Sequence, residues 1–202
     1  MIIAGAGGHG LEVYGVLISQ GIPASEICFY DEDSSKKIIH SSGSKILNTE
    51  NELKKALETN PNYCLGVGSP AFREYFLKKF ELFGGEHYAL KGTNSVLMGS
   101  DQDFDLMPFG FVGPETVIGK GVLINSRANV HHQCIVGEFS ELGPGSILLG
   151  GAKVGKHCRI GAGAILLPGV EVGDNVIVGA GAVVTKNFRN NSILKGVPAS
   201  NQ

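Results

Sequence analysis

From Leu106 onward every sixth residue is aliphatic: Val112, Ile118, Ile124, Val130, Val136, Leu142, Leu148, Val154, Ile160, Leu166, Val172, Val178 and Val184 follow without exception. The residues two places earlier, from Thr116 to Ala182, run Thr, Val, Ala, Cys, Ser, Ser, Ala, Cys, Ala, Val, Val, Ala, all of modest size. Glycine often comes directly after the aliphatic, as at Gly113, Gly119, Gly137, Gly143, Gly155, Gly161, Gly173 and Gly179. An α-helix repeats near every 3.6 residues and cannot hold this register, so a helical second half is excluded. The pattern is the hexapeptide repeat of a parallel β-helix, in which three short strands and three corners close one triangular coil. Each aliphatic then points inward and stacks on its equivalent 18 residues away, with the small residue facing in where the corner narrows. The glycines are expected where a corner needs backbone freedom. Known solenoids with this repeat coil left-handed, and the same hand is expected here by analogy, against the general crossover rule.

The first 90 residues follow another rule. Met1–Ala4 reads as a short apolar strand that runs into GAGGHG, Gly5 to Gly10. A helical face of Leu11, Tyr14, Gly15 and Ile18 follows, stopped by Gly21. Ile27–Tyr30 reads as a second strand ending at Asp31, Glu32 and Asp33. Thr49 and Glu52 form a capping-box signature for a helix over 50–58, and Tyr63–Val67 reads as a third strand. Ser69–Pro70 opens another helix, with Phe72, Phe76 and Phe80 on one face and Gly84 at its end. Alternating strands and helices imply a parallel sheet covered on both faces. The expected organisation is a Rossmann-like half domain over 1–90 and a left-handed β-helix with a C-terminal tail over 91–202.

GAGGHG satisfies GxGxxG, and Asp31 lies at the distance a dinucleotide site requires. The segment is too short for the paired halves of a dinucleotide fold, which weighs against NAD. A glycine-rich turn at a helix N-terminus can still hold phosphate with its N–H groups, and carboxylates ending the second strand can accept from hydroxyls. A nucleotide-bearing small molecule is the expected ligand; a tight turn without a ligand is the alternative.

A formal net charge of −2 gives no electrostatic footprint for nucleic acid. No apolar run reaches the length of a membrane span, and the chain opens without a basic, cleavable leader, so a cytoplasmic protein is expected. Cys28, Cys64, Cys134 and Cys158 lack CxxC pairing and suit reduced thiols. Cys134 and Cys158 both fall on the small inward position and are expected in the core.

GAGGHG, HxCxxGEFS at 132–140 and AVVTKN…SILKGVPA at 182–199 together resemble the NeuD/PglD-type sugar acyltransferases, hexapeptide-repeat enzymes with a left-handed β-helix. The resemblance covers nearly the whole chain. It implies an acetyl-CoA-dependent transferase, with N-acetylation of a nucleotide-linked amino sugar in surface glycan biosynthesis as the leading expectation. It also implies a homotrimer with sites at subunit interfaces, a histidine general base, direct transfer, and no metal. Aligned on Cys134 and Gly137, His132 takes the catalytic place, and Gln133 stands where relatives carry an acid. Glu141, nine residues after His132, stands where relatives often carry a CoA-contacting histidine. Glu141, Ala162 and Ala180 are implied to line the acetyl-CoA path, and Gly7, Gly8, His9, Asp31, Glu32 and Gly68 the nucleotide sugar.

The chemistry asked of these residues is modest. A thioester needs a nucleophile relieved of its proton and held close, plus donors for the developing oxyanion. Histidine suits the first task because it titrates near neutrality. Gln133 can orient the ring but brings no charge, so either Glu141 replaces the missing carboxylate or the base is weaker than in relatives. His131 alternates to the other side of the corner, and His157 lies on a different corner class. The competing readings are O-acetylation of a sialic-acid-type sugar, a zinc hydratase on the same coil, and a non-catalytic sugar-nucleotide-binding homologue.

Overall fold

The structure, a computed structural model, describes residues 1–36, 43–99 and 103–202. The chain divides into two compact units, Met1–Gly68 with Phe72–Tyr88, and Ser69–Ala71 with Ala89–Gln202.

In the first unit, strands β1 (Ile2–Ala4), β2 (Cys28–Tyr30), β3 (Ile46–Leu47), β4 (Asn62–Leu65) and β5 (Glu86–His87) pair in parallel in the order β3-β2-β1-β4-β5. Strand order reverses between β1 and β4, the place where open α/β sheets bind ligands beyond their strand ends. With two residues each, β3 and β5 are too short to leave an alternating pattern in the sequence.

Helix α1 (Gly8–Ser19) starts inside the glycine motif and buries Gly10, Val13, Val16 and Leu17. Leu11 and Ile18 are exposed, so the face read from periodicity is rotated from the one that packs. The helix is apolar over most of its circumference, and the pattern alone does not choose a side. Gly10 does: a Cβ there would collide with the carbonyl oxygen of Gly5, so only glycine lets the helix seat against the turn.

Helix α2 (Glu50–Thr59) carries the full capping box between Thr49 and Glu52. In helix α3 (Pro70–Leu82), Phe76, Leu77 and Phe80 are buried, whereas Phe72 is 59% exposed. Its place inside is taken by Arg73, fully buried, whose Nη1 donates to the Val67 carbonyl at 2.9 Å. The buried guanidinium thereby ties α3 to the loop that follows β4.

The second unit is the left-handed parallel β-helix, three stacks of two-residue strands related by 18-residue steps. One face carries Asp105–Leu106, Leu123–Ile124, Glu141–Leu142, Arg159–Ile160 and Ile177–Val178; a second runs from Val96–Leu97 through Asn129–Val130 to Val183–Val184; the third holds Val117–Ile118, Ile135–Val136, Lys153–Val154 and Glu171–Val172. Every aliphatic rung from Leu106 to Val184 is buried, and so is every small residue from Thr116 to Ala182. Burying one such aliphatic contributes about 1.5–3 kcal/mol, which is why the period does not miss. It ends after Val184 because the last coil is shortened: Val178 pairs with Leu194 rather than with residue 196.

The corners divide the work of glycine differently from the sequence expectation. Left-handed backbone recurs three residues after each aliphatic from Leu106 to Val178, at Gly121, Gly145 and Gly163 but also at Glu115, Gln133 and Phe139. The glycines directly after the aliphatic have no such φ; what they provide is space. A Cβ on Gly137 would lie 2.6 Å from the carbonyl carbon of Gly155, and one on Gly161 2.5 Å from the Ala180 nitrogen. Those glycines let successive coils stack.

Among the described residues, no helix is long and apolar enough to cross a membrane.

Candidate active site

His132 stands on the corner between Asn129–Val130 and Ile135–Val136. The coil buries Val130 and Cys134 on either side of it, so His132 and Gln133 project outward and are exposed. His132 Nδ1 lies 3.2 Å from Gln133 Oε1. Gln133 Nε2 in turn donates to Oε2 of Glu115 at 2.9 Å. Glu115, not singled out by the sequence, lies 18 residues before Gln133, in the same corner seat one coil below; the repeat's own step is the signal that finds it. On the other side the imidazole lies across Gly150, whose three nearest atoms to a built Cβ all belong to this ring.

Glu141 is brought to a different partner. It stands past the next corner, on the face with Leu123–Ile124, and accepts from Arg159 Nε at 2.9 Å. Within one chain it meets this guanidinium one coil up rather than His132. His131 turns toward Phe111 (ring centroids 6.1 Å apart), and His157 stacks on Phe139 (5.5 Å). Cys134 is buried with its Sγ 3.3 Å from the Leu149 carbonyl, and burial pushes its thiol pKa up, as it does for Cys158. Such thiols are poor nucleophiles. Ala162 and Ala180 are exposed and stack on the corner between the first and second faces, whereas His132 stands between the second and third, so they do not share an edge of the prism. Among the described residues no group of three His, Cys, Asp or Glu side chains is placed to hold a metal ion.

In the first unit the glycine loop lies at the strand-order reversal. Gly5, Gly10 and Gly66 are fixed by close packing, since added Cβ atoms would meet neighbouring backbone or side-chain atoms. Gly7 and Gly8 face open space, with nothing within 4 Å of a built Cβ, and Gly7 caps α1 without a side-chain bond. Free N–H groups at this helix start can receive an anion. His9 shares Nδ1 with Glu12 at 3.0 Å, and its Nε2 is buried without a partner. Asp31 accepts from the Ala6 N–H at 2.9 Å and from Lys36 at 2.9 Å, so this carboxylate stakes the glycine loop. Burial opposes its ionisation, but Lys36 and the N–H groups of Asp33 and Ala6 outweigh that and hold it below the usual carboxylate range. Glu32 turns away to Tyr75 and Lys79, each at 2.6 Å. Lys79 also reaches Glu50 at 3.0 Å, and these partners overcome its desolvation and raise its pKa. Gly68 follows the loop that Arg73 clamps.

The sequence matches the PglD N-terminal domain over residues 1–80 and the bacterial transferase hexapeptide repeats over 115–150 and 151–186. Its structure is similar to the acetyltransferase domain of PglB from Neisseria gonorrhoeae, solved with acetyl coenzyme A: TM-score 0.90, 27% identity, 100% of this chain and 98% of that one. It is also similar to PerB from Caulobacter crescentus, solved with CoA and GDP-perosamine (0.88, 26%, 100% and 96%). WeeI from Acinetobacter baumannii matches at 0.87 and 26%, over 100% of this chain and 98% of that one.

Proposed function

The chain is a NeuD/PglD-like sugar acetyltransferase, and we propose that it moves an acetyl group from acetyl-CoA to the amino group of a nucleotide-linked amino sugar, with His132 as general base. The observation that carries the reading is the state of His132: an exposed imidazole whose Nδ1 is engaged by Gln133, leaving Nε2 for the acceptor. The amine attacks the thioester carbonyl carbon directly as its proton passes to Nε2. The C–S bond then breaks and the proton goes on to the departing thiolate, giving the amide and CoA. No covalent enzyme intermediate is needed, consistent with the inert, buried Cys134.

Gly7, Gly8 and the start of α1 would receive the nucleotide phosphates, Gly68 and His9 would border the same loop, and Asp31 would hold its shape. Glu32, tied to Lys79, fits the wall of that site better than a hydroxyl contact. For the donor, Ala162 and Ala180 leave room for pantetheine, with Glu141 and Arg159 on the adjoining face. Base and donor positions lie on different edges of one prism, so a working site joins the edge of one chain to another edge of a neighbour. A cyclic homotrimer does this three times with one kind of interface. Among the described residues none of the four cysteines is in a disulfide, which suits a cytoplasmic enzyme.

The test is CoA-thiol release from acetyl-CoA across UDP-, GDP-, TDP- and CMP-linked amino sugars, GDP-perosamine included, with His132→Ala as control. Amide formation on one of them, lost in His132→Ala, is expected. Transfer to a hydroxyl, or rates equal to the control, would overturn the reading.

A further inference from the structure

Gln133 and Glu115 both take left-handed backbone, with φ of 60° and 57°. In the next two coils the same corner seat is held by Gly151 and Gly169, at φ of 71° and 70°. Glycine is the natural occupant of such a backbone. On this edge of the prism side chains stand at 115 and 133 where the next two coils use glycine, and Gln133 meets both Glu115 and His132.

The chemistry of the three groups fixes their order. A carboxylate only accepts hydrogen bonds, so Glu115 Oε2, 2.9 Å away, draws the NH2 end of the Gln133 amide toward itself. That turns the amide carbonyl toward His132 Nδ1, at 3.2 Å. A carbonyl also only accepts, so Nδ1 must carry the ring proton and Nε2 must keep its lone pair. Flipping the amide would set carbonyl against carboxylate and leave two acceptors facing each other.

We propose that Glu115 is a positioning residue that selects the Nδ1–H tautomer of His132 through the Gln133 amide, from one coil below. The inference rests on His132 being the general base and deepens that reading. It gives the enzyme the orienting carboxylate that residue 133 does not supply.

Two measurements on the full-length protein test it. Ring-nitrogen 15N NMR of wild type should show neutral His132 with Nδ1 protonated; Glu115→Gly, which suits the left-handed backbone, should show mixed tautomers with the fold intact. The kinetic test uses acetyl-CoA and the best acceptor of the panel above. Glu115→Gly should lower kcat roughly tenfold to a hundredfold with KM for both substrates little changed. Gln133→Glu alone sets two carboxylates about 3 Å apart and should also be impaired near neutral pH, with a distorted pH profile. Gln133→Glu combined with Glu115→Gln restores one acceptor against Nδ1 and one donor behind it, and should recover kcat to within about threefold of wild type. The proposal is overturned if Glu115→Gly keeps the wild-type tautomer and kcat, or if Gln133→Glu alone is as active as the double variant. Full activity in His132→Ala would instead sink the general-base reading, while the NMR result on Glu115 would stand by itself.

Discussion

The imidazole of His132 occupies the space that a side chain on Gly150 would fill. A Cβ built on Gly150 lies 2.5 Å from Nε2 and 3.2 Å from Nδ1. Unbonded heavy atoms are comfortable near 3.5–4.0 Å, so Gly150→Ala requires the ring to retreat by about 1 Å. The fold should hardly register this. Gly150 has no left-handed φ, and the obstructing atoms are the far end of a side chain free to swing outward. Catalysis should register it strongly. The retreat breaks the 3.2 Å contact with Gln133 and re-aims Nε2. A misplacement near 1 Å can cost about a hundredfold in rate, or about 2.7 kcal/mol of barrier. Steady-state CoA-release kinetics and thermal denaturation on the same samples separate the two effects. The expected outcome is kcat down about a hundredfold, KM for acetyl-CoA little altered, and Tm within about 2 °C of wild type. A variant that keeps both kcat and Tm would refute the placement of His132 as the base. One that loses activity only by losing Tm would refute the claim that the ring yields cheaply.

Two further predictions follow from the corners and the capping box. Gly137→Ala drives a Cβ to 2.6 Å from the Gly155 carbonyl carbon, in backbone that cannot swing away, and should cost about 3 kcal/mol. Gly145→Ala meets nothing within 4 Å and bears only its left-handed φ of 66°, a cost of about 1 kcal/mol; urea midpoints in the opposite order would show that stacking does not set the glycine positions. Glu52 accepts from the Asn48 N–H and is held further by Lys45 and Thr49, so its pKa falls from the ordinary 4.5 to about 2. A carboxyl depressed by folding stabilises fully above its unfolded value, and that contribution drains away as pH falls from 4.5 to about 2. Urea titrations should therefore show the gap between wild type and Glu52→Gln closing across that window; a gap that persists below pH 2 would mean the carboxylate is not what stabilises the cap.

The β-helix was legible because its core obeys a rule with no competing solution: an inward residue every six, small partners between, and no room for error at a shared wall. Helix α1 was half legible, since an apolar pattern on most sides cannot say which side packs until Gly10 meets Gly5. The orienting carboxylate of His132 was missed for a different reason. Beside the histidine and nine residues on, the sequence offers Gln133 and Glu141, and both belong to places defined by distance along the chain. In a coil a polar partner can also lie one turn away, 18 residues along the chain. Lys153 with Glu171, Lys156 with Glu138 and Arg159 with Glu141 all pair across 18 residues, and Gln133 with Glu115 obeys the same step. The outer surface of this solenoid thus also uses the 18-residue step at these pairs, but its code is charge and hydrogen bonding, which tolerate Lys, Arg, Glu or Gln and so leave no single-letter repeat. An acid absent from its usual place in the motif is therefore to be sought one coil below before the histidine is judged unsupported.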